Sequence, residues 1–164
     1  MADMTLEIKG VEEFVKKLEG ISDDLRKKGG RFALRKAANE IRESVRGRAK
    51  RLNDPSTANE IAKNVAVRWS ARRFKKTGDL MFRVGILGGA RDYSKYGELK
   101  TGKSGKENPG GDTYYWRFLE FGTENARATP FLRPSLADNP SKIIDTFILN
   151  YSKAIDRALK KRMS

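Results

Sequence analysis

The sequence predicts an α+β fold: a small antiparallel sheet packed with a long N-terminal helical region and a C-terminal helix, with a long flexible loop. Three observations predict it. Apolar residues recur at helical spacing over residues 34–52 and again over 144–159, as amphipathic helices require. Val65–Trp69 and Met81–Leu87 are short runs rich in β-branched and aromatic residues, separated by a Thr77-Gly78-Asp79 turn. Residues 88–113 hold seven glycines and few large apolar side chains, too little burial to offset chain entropy. A single domain over residues 1–164 is expected at this length.

The elements follow in order. Met4-Thr5-Leu6-Glu7-Ile8-Lys9 alternates apolar and polar, the period of a half-buried strand, and Gly10 ends it. Val11, Phe14, Val15 and Leu18 then mark a short amphipathic helix. Ser22 and Asp23 are good N-caps for a second helix, along which Leu34, Ala37, Ala38, Ile41, Val45, Ala49 and Leu52 keep one apolar stripe. Gly29-Gly30 is a weak point where that helix starts late or bends, because each glycine costs about 1 kcal/mol against alanine. Asn53-Asp54-Pro55 stops it. Asn59–Asn64 has room for one helical turn. In the strand Val65–Trp69 the apolar side is Val65, Val67 and Trp69, and Met81–Leu87 is its antiparallel neighbour, with mixed alternation that predicts burial on both sides for part of its length. Tyr114–Phe121 is the densest aromatic stretch, closed by Gly122-Thr123. Asn139-Pro140 reads as an N-cap followed by proline at the first helical position, opening a helix with the stripe Ile144, Phe147, Ile148, Tyr151, Ile155, Ala158 and Leu159.

Composition narrows the chemistry. The 164 residues carry 35 Lys and Arg against 21 Asp and Glu, a net charge of +14, with no histidine and no cysteine. There is no imidazole base, thiolate nucleophile, disulfide or zinc-thiolate site to build. Carboxylates such as Asp79, Asp92 and Glu120 lack the paired spacing of an acid/base dyad, so no enzyme activity is expected. No metal or cofactor is expected either. Gly102-Lys103-Ser104-Gly105-Lys106 misses the phosphate-loop spacing, with no apolar strand before it and no helix after. With 38% hydrophobic and 34% charged residues, the core is modest and surfaces finished by partner subunits are expected. No apolar run approaches the ~20 residues of a membrane span, and no signal-peptide apolar region stands at the N-terminus. The reading is a soluble protein with no membrane partner.

Two sets of residues stand out. Between Arg26 and Arg51 eleven Lys and Arg face two Glu, among them Arg35, Lys36, Arg42 and Arg46, and Arg68, Arg72, Arg73, Lys75 and Lys76 form a second cluster. Such side chains contact phosphates without reading sequence, or pair with an acidic neighbour; no sequence-reading motif accompanies them. The other set is the block Tyr-Tyr-Trp-Arg-Phe-Leu-Glu-Phe-Gly-Thr from Tyr114 to Thr123 with Pro-Phe-Leu-Arg-Pro from Pro130 to Pro134. Core packing accounts for Phe118, Leu119, Phe121 and Leu132. Glu120 and Arg133, charged groups among aromatics, are expected to pair within or between subunits.

This block carries a resemblance. Phe118-Leu119-Glu120-Phe121-Gly122-Thr123, followed by Pro130-Phe131-Leu132-Arg133-Pro134, resembles the signature of the HK-ninety-seven-type tail-component family of tailed bacteriophages, and Trp116 belongs to the same block. A basic N-terminal helix with Ala37-Ala38 on its stripe, Thr77-Gly78-Asp79-Leu80 before a strand, and the C-terminal helix agree with it. Family members more often have Arg where this chain has Thr129, and place Thr-Gly-x-Leu ahead of the first strand, whereas here it follows Val65–Trp69. The resemblance implies a virion structural protein, a tail-completion or head–tail joining subunit of a long-tailed phage. It implies a homo-oligomeric ring, hexameric to match tail symmetry, at the top of the tail tube. The implied neighbours are the head connector and the tail tube or tail terminator proteins, with assembly in the host cytoplasm; part of the basic surface is expected to face the DNA channel, without sequence preference, or an acidic neighbour. The 88–113 loop would order on assembly. The competing reading is a stand-alone, sequence-independent nucleic-acid-binding protein.

Overall fold

A computed structural model describes residues 22–52, 59–87, 109–111 and 113–163. The strand and helix expected over residues 4–18, the stop at Asn53-Asp54-Pro55 and most of the 88–113 loop lie outside them. The described elements are helix α1 (Asp23–Ala49) with a 3-10 turn at Lys50–Leu52, α2 (Ile61–Asn64), strand β1 (Val65–Trp69), α3 (Ala71–Thr77), β2 (Phe82–Ile86), α4 (Trp116–Phe121), α5 (Leu132–Ala137) and α6 (Pro140–Met163). Among the described residues this is a mostly helical α+β arrangement with one two-stranded sheet.

β1 and β2 are antiparallel, with Val65 opposite Ile86, Val67 opposite Val84, Arg68 opposite Arg83 and Trp69 opposite Phe82. Val65, Val67 and Trp69 therefore share a face with Ile86, Val84 and Phe82, because side chains alternate along a strand. That face packs on α1. In β2 Arg83 is exposed on the other face, whereas Val84, Gly85 and Ile86 are part-buried in succession, so the strand is covered on both sides for part of its length, as its mixed alternation implies.

The core has two parts. Val45 and Ala49 of α1 meet Ile61, Ala62, Val65 and Phe131, with Ile41, Val84, Trp116 and Leu132 packed around them. Nearer its start, α1 packs on α6 through Ala33, Tyr151 and Ile155, flanked by Leu25 and Phe147. α1 is thus the spine, 27 residues or about 40 Å at 1.5 Å per residue.

Gly29 and Gly30 neither delay nor interrupt this spine, which is helical from Asp23 onward. Both are buried, and the Tyr151 ring of α6 lies on them: a Cβ on Gly29 would sit 3.0 Å from Tyr151 Cε2. The Tyr151 hydroxyl donates to the Arg26 carbonyl at 2.9 Å, so one ring fills the contact and satisfies its own polar end. The helical penalty of the glycines is exchanged for close approach of two helices.

The end of the expected loop is likewise fixed. The buried Asn64 side chain donates to the Gly111 carbonyl (2.8 Å) and the Thr113 hydroxyl (2.7 Å) and accepts from the Gly110 N–H (2.7 Å). Its backbone carbonyl accepts from the Leu87 N–H at 2.7 Å. One asparagine therefore ties Leu87 to residues 110–113. Polar groups this deeply buried cost free energy unless paired, and both the side-chain nitrogen and the side-chain oxygen of Asn64 are paired.

Candidate functional site

α4 begins after a tight Tyr114–Tyr115 turn and ends at Gly122, whose N–H donates to the Phe118 carbonyl at 2.8 Å. Gly122 has φ 78° and ψ 178°, and a Cβ there would lie 2.9 Å from the Ala128 nitrogen and 3.0 Å from the Ala126 carbonyl oxygen. Only glycine fits such a backbone and such a gap. The chain then turns through Thr123, whose N–H donates to the Ala126 carbonyl (2.9 Å) and whose hydroxyl accepts from the Ala126 N–H (3.0 Å). It returns alongside α4 where the Thr129 N–H donates to the Leu119 carbonyl at 2.7 Å.

That return delivers Phe131 into the core, 1% exposed, and starts α5 beside Glu120. A helix leaves its first N–H groups without helical partners. Here the Glu120 carboxylate accepts three of them: Oε2 from Phe131 (2.8 Å) and Leu132 (2.9 Å), and Oε1 from Arg133 (3.1 Å). The next residue is Pro134, which has no N–H to satisfy. Glu120 thus serves as the cap for a helix more than ten residues downstream. The Ser135 hydroxyl closes the turn by donating to the Phe131 carbonyl at 2.6 Å.

Arg133 completes the knot. Its Nε donates to Glu120 Oε1 at 3.1 Å and a terminal nitrogen donates to the Glu120 carbonyl at 2.7 Å. Its guanidinium also lies 5.2 Å from the centre of the Phe121 ring. Glu120 and Arg133 pair within one chain. Glu120 is 1% exposed, whereas the Arg133 side chain is 62% exposed. Burial pushes the Glu120 carboxyl upward, but the backbone N–H groups of residues 131–133 and the Arg133 side chain outweigh it, and the group is held below its ordinary value. A carboxylate at this helix start also meets the positive end of the helix dipole.

Phe118 and Phe121 do not join the core: they are 52% and 63% exposed on α4. Leu119 and Leu132 do pack against it, as the sequence implied. The predicted block is therefore two short helices tied together across one loop, with two aromatic rings of α4 on the outside.

The first half of the motif that carries the sequence resemblance, up to Gly122, lies on α4 and its end, and one family model matches the chain. It is described as "Bacteriophage HK97-gp10, putative tail-component" and matches residues 12–122, about two thirds of the chain. The chain belongs to this family. The match ends at Gly122, so α4 and its glycine terminus lie within it and α5 beyond it. No curated protein and no solved structure matches the chain. Family membership makes it a phage tail component and gives it a virion location. Among the described residues no helix is long and apolar enough to cross a membrane, and no group of His, Cys, Asp and Glu has the arrangement to hold a metal ion.

The predicted basic residues separate into two groups. Arg42 pairs with Glu43 at 2.8 Å, and Arg46 is part-buried, donating to the Val65 carbonyl at 3.3 Å and lying 3.5 Å from Glu43. Arg73 pairs with Asp79 at 3.1 Å, and the Thr77 hydroxyl and Arg73 together hold the Asp79 carboxyl below its ordinary value. Arg35, Arg68, Arg72, Lys75 and Lys76 are exposed, and the exposed Lys36 lies 5.7 Å from the Phe32 ring. Ion pairs of α1 with the C-terminal elements, Arg48 with Asp138 and Glu40 with Lys142, use more of the helix's charge. Of the eleven basic residues from Arg26 to Arg51, four are thus in ion pairs among the described residues, Arg26, Arg42, Arg46 and Arg48. Two residues of the structure escaped the sequence reading: Asn64, a polar residue in a short turn, and Arg83, which comes opposite Arg68 only through the strand register.

Proposed function

We propose that this tail component is a tail-completion or head–tail joining subunit, built as a ring at the top of the tail tube of a long-tailed phage and free of catalytic activity. One observation carries the reading. The Glu120–Arg133 knot spends a buried carboxylate, a special glycine and three backbone hydrogen bonds on tying α4 to the start of α5, and α4 presents Phe118 and Phe121 to solvent. Aromatic rings held outward on a preorganised frame serve as anchors in protein interfaces. A ring uses heterologous contacts, in which one face of a subunit meets a different face of the next. The chain's neighbours would be the head connector and the tail tube or tail terminator proteins, and its assembly site the host cytoplasm.

Deleting the gene from its phage tests this. Separate DNA-filled heads and finished tails, rejoined by the purified chain, are expected, with a few copies per virion by mass spectrometry. Intact particles lacking the chain would refute the role. So would hundreds of copies per virion, which mark a tube protein.

A further inference from the structure

The register of the sheet places Arg68 directly opposite Arg83. Side chains so paired lie about 5 Å apart at Cβ, and like charges in that position destabilise a sheet. Both are exposed, and neither meets a carboxylate among the described residues. The next pair on the same face is Ala66 opposite Gly85, both small. They floor an open trough of about 430 Å³ that also reaches Leu87. Arg72, Lys75 and Lys76 on α3 extend the same strand–helix–strand unit with exposed positive charge, and its one acid, Asp79, is taken by Arg73. Uncompensated charge on a two-stranded ribbon is a cost to the isolated chain.

We propose that the outer face of this ribbon, with Arg68 and Arg83 at its centre, binds the phosphate backbone of duplex DNA without reading sequence. Charge complementarity requires a polyanion. A second copy of this chain is a weaker source: among the described residues Asp23, Glu40, Glu43, Glu60, Asp79 and Asp138 are already in ion pairs and Glu120 is buried in its own, which leaves Glu124, Asp145 and Asp156 against the five exposed cations Arg68, Arg72, Lys75, Lys76 and Arg83. An acidic protein partner is disfavoured by what the face lacks. Protein interfaces have an apolar, often aromatic centre, and the large exposed hydrophobic residues of this chain, Phe32, Phe118, Phe121, Leu136, Leu149 and Leu159, all lie outside the unit. Phosphate contacts need arginine and lysine on a surface that comes close, and small residues beside the two arginines permit that approach. The inference is separate from the joining role: it concerns the free chain and DNA, and either can fail without the other.

The test uses the full chain and a labelled duplex of about 30 base pairs in two unrelated sequences. Fluorescence anisotropy is followed from about 50 to 200 mM salt. Equal affinity for both sequences is expected. Arg68→Ser with Arg83→Ser should weaken binding at least tenfold and lower the slope of log K against log salt by about 2, as each phosphate contact contributes about 0.9. Arg68→Lys with Arg83→Lys should restore most of it. The exposed pair Lys50→Ser with Arg51→Ser, which removes equal charge elsewhere, should stay within twofold of wild type. Arg83→Glu should lose binding while its melting temperature holds or rises, since it gives Arg68 an opposite charge. Equal losses in the two serine pairs, no binding by the wild type at the lowest salt, tighter binding to polyglutamate than to duplex, or a lower melting temperature for Arg83→Glu would each overturn the proposal.

Discussion

Glu120 shows why a charged residue sits inside an aromatic block. Charge reversal at Glu120 and Arg133 together is no test of their pairing, since arginine at 120 would face three backbone N–H groups with no acceptor. The two partners instead differ in weight. Arg133→Ala removes a largely exposed side chain, and the expected loss is under about 1 kcal/mol. Glu120→Gln leaves buried donors poorly matched, and a loss of about 2–4 kcal/mol is expected in chemical denaturation at pH 7. The sign with pH follows from the lowered carboxyl. Its stabilisation is complete above the ordinary value of 4.5 and is lost as pH falls below it toward the depressed folded value. Wild type should therefore lose stability through that acid range while Glu120→Gln changes less, so the two curves converge. Parallel curves would show that the carboxylate does not supply this term. The charge and its need for a partner were legible in the sequence. The capping role was not, because it joins a side chain to backbone N–H groups brought near by the Gly122 turn.

Helix stripes were readable at the scale of elements because burial on one face imposes the 3.6-residue period whatever the partner. The strand pair was readable for the same reason at period two. What periodicity does not carry is how near two elements come. Gly29-Gly30 looked like a defect in α1 because glycine weakens an isolated helix, whereas in the fold it is the seat of the Tyr151 ring. α3 was missed because seven residues, four of them basic, show no apolar stripe; its Phe74 is held instead by Trp69, ring centres 5.4 Å apart. The helix pair makes a sharp prediction. Gly29→Ala offers about 1 kcal/mol of helix propensity but sets a methyl against the Tyr151 ring. The single variant should therefore be neutral or destabilised in thermal melts. With Tyr151→Leu, whose side chain has no ring at that spot, the same alanine should become stabilising. A gain from Gly29→Ala alone would mean that the ring does not press on α1. Tyr151→Phe should cost about 1 kcal/mol for the lost bond to the Arg26 carbonyl.

Over the whole molecule, the net charge of +14 is the first thing the sequence offers and an uneven guide. Among the described residues, four of the nine basic side chains on α1, Arg26, Arg42, Arg46 and Arg48, are in ion pairs within the chain, while on the strand–helix–strand unit only Arg73 of six is. The aromatic block behaves in the opposite way: it reads as core, yet Phe118 and Phe121 stay outside. Exposed aromatic surface on α4 and uncompensated charge on the strand–helix–strand unit thus lie on different elements. A ring subunit that contacts both protein neighbours and DNA needs that division, since an interface centre tolerates few charges and a phosphate contact needs them. The proposed ring makes the α4 rings the test of the division. Phe118→Ser with Phe121→Ser removes exposed surface, so the monomer's melting temperature should shift by no more than a surface change gives, about 0.5 kcal/mol per residue. Interface anchors lose about 1–3 kcal/mol each when truncated, and a closed ring repeats the loss at every contact. Native mass spectrometry should therefore show the double variant as monomer at concentrations where the wild type is a ring, with DNA affinity within twofold of wild type. A variant that still forms rings would remove these residues from the subunit interface, and one that loses DNA binding as well would show that the two faces are not independent.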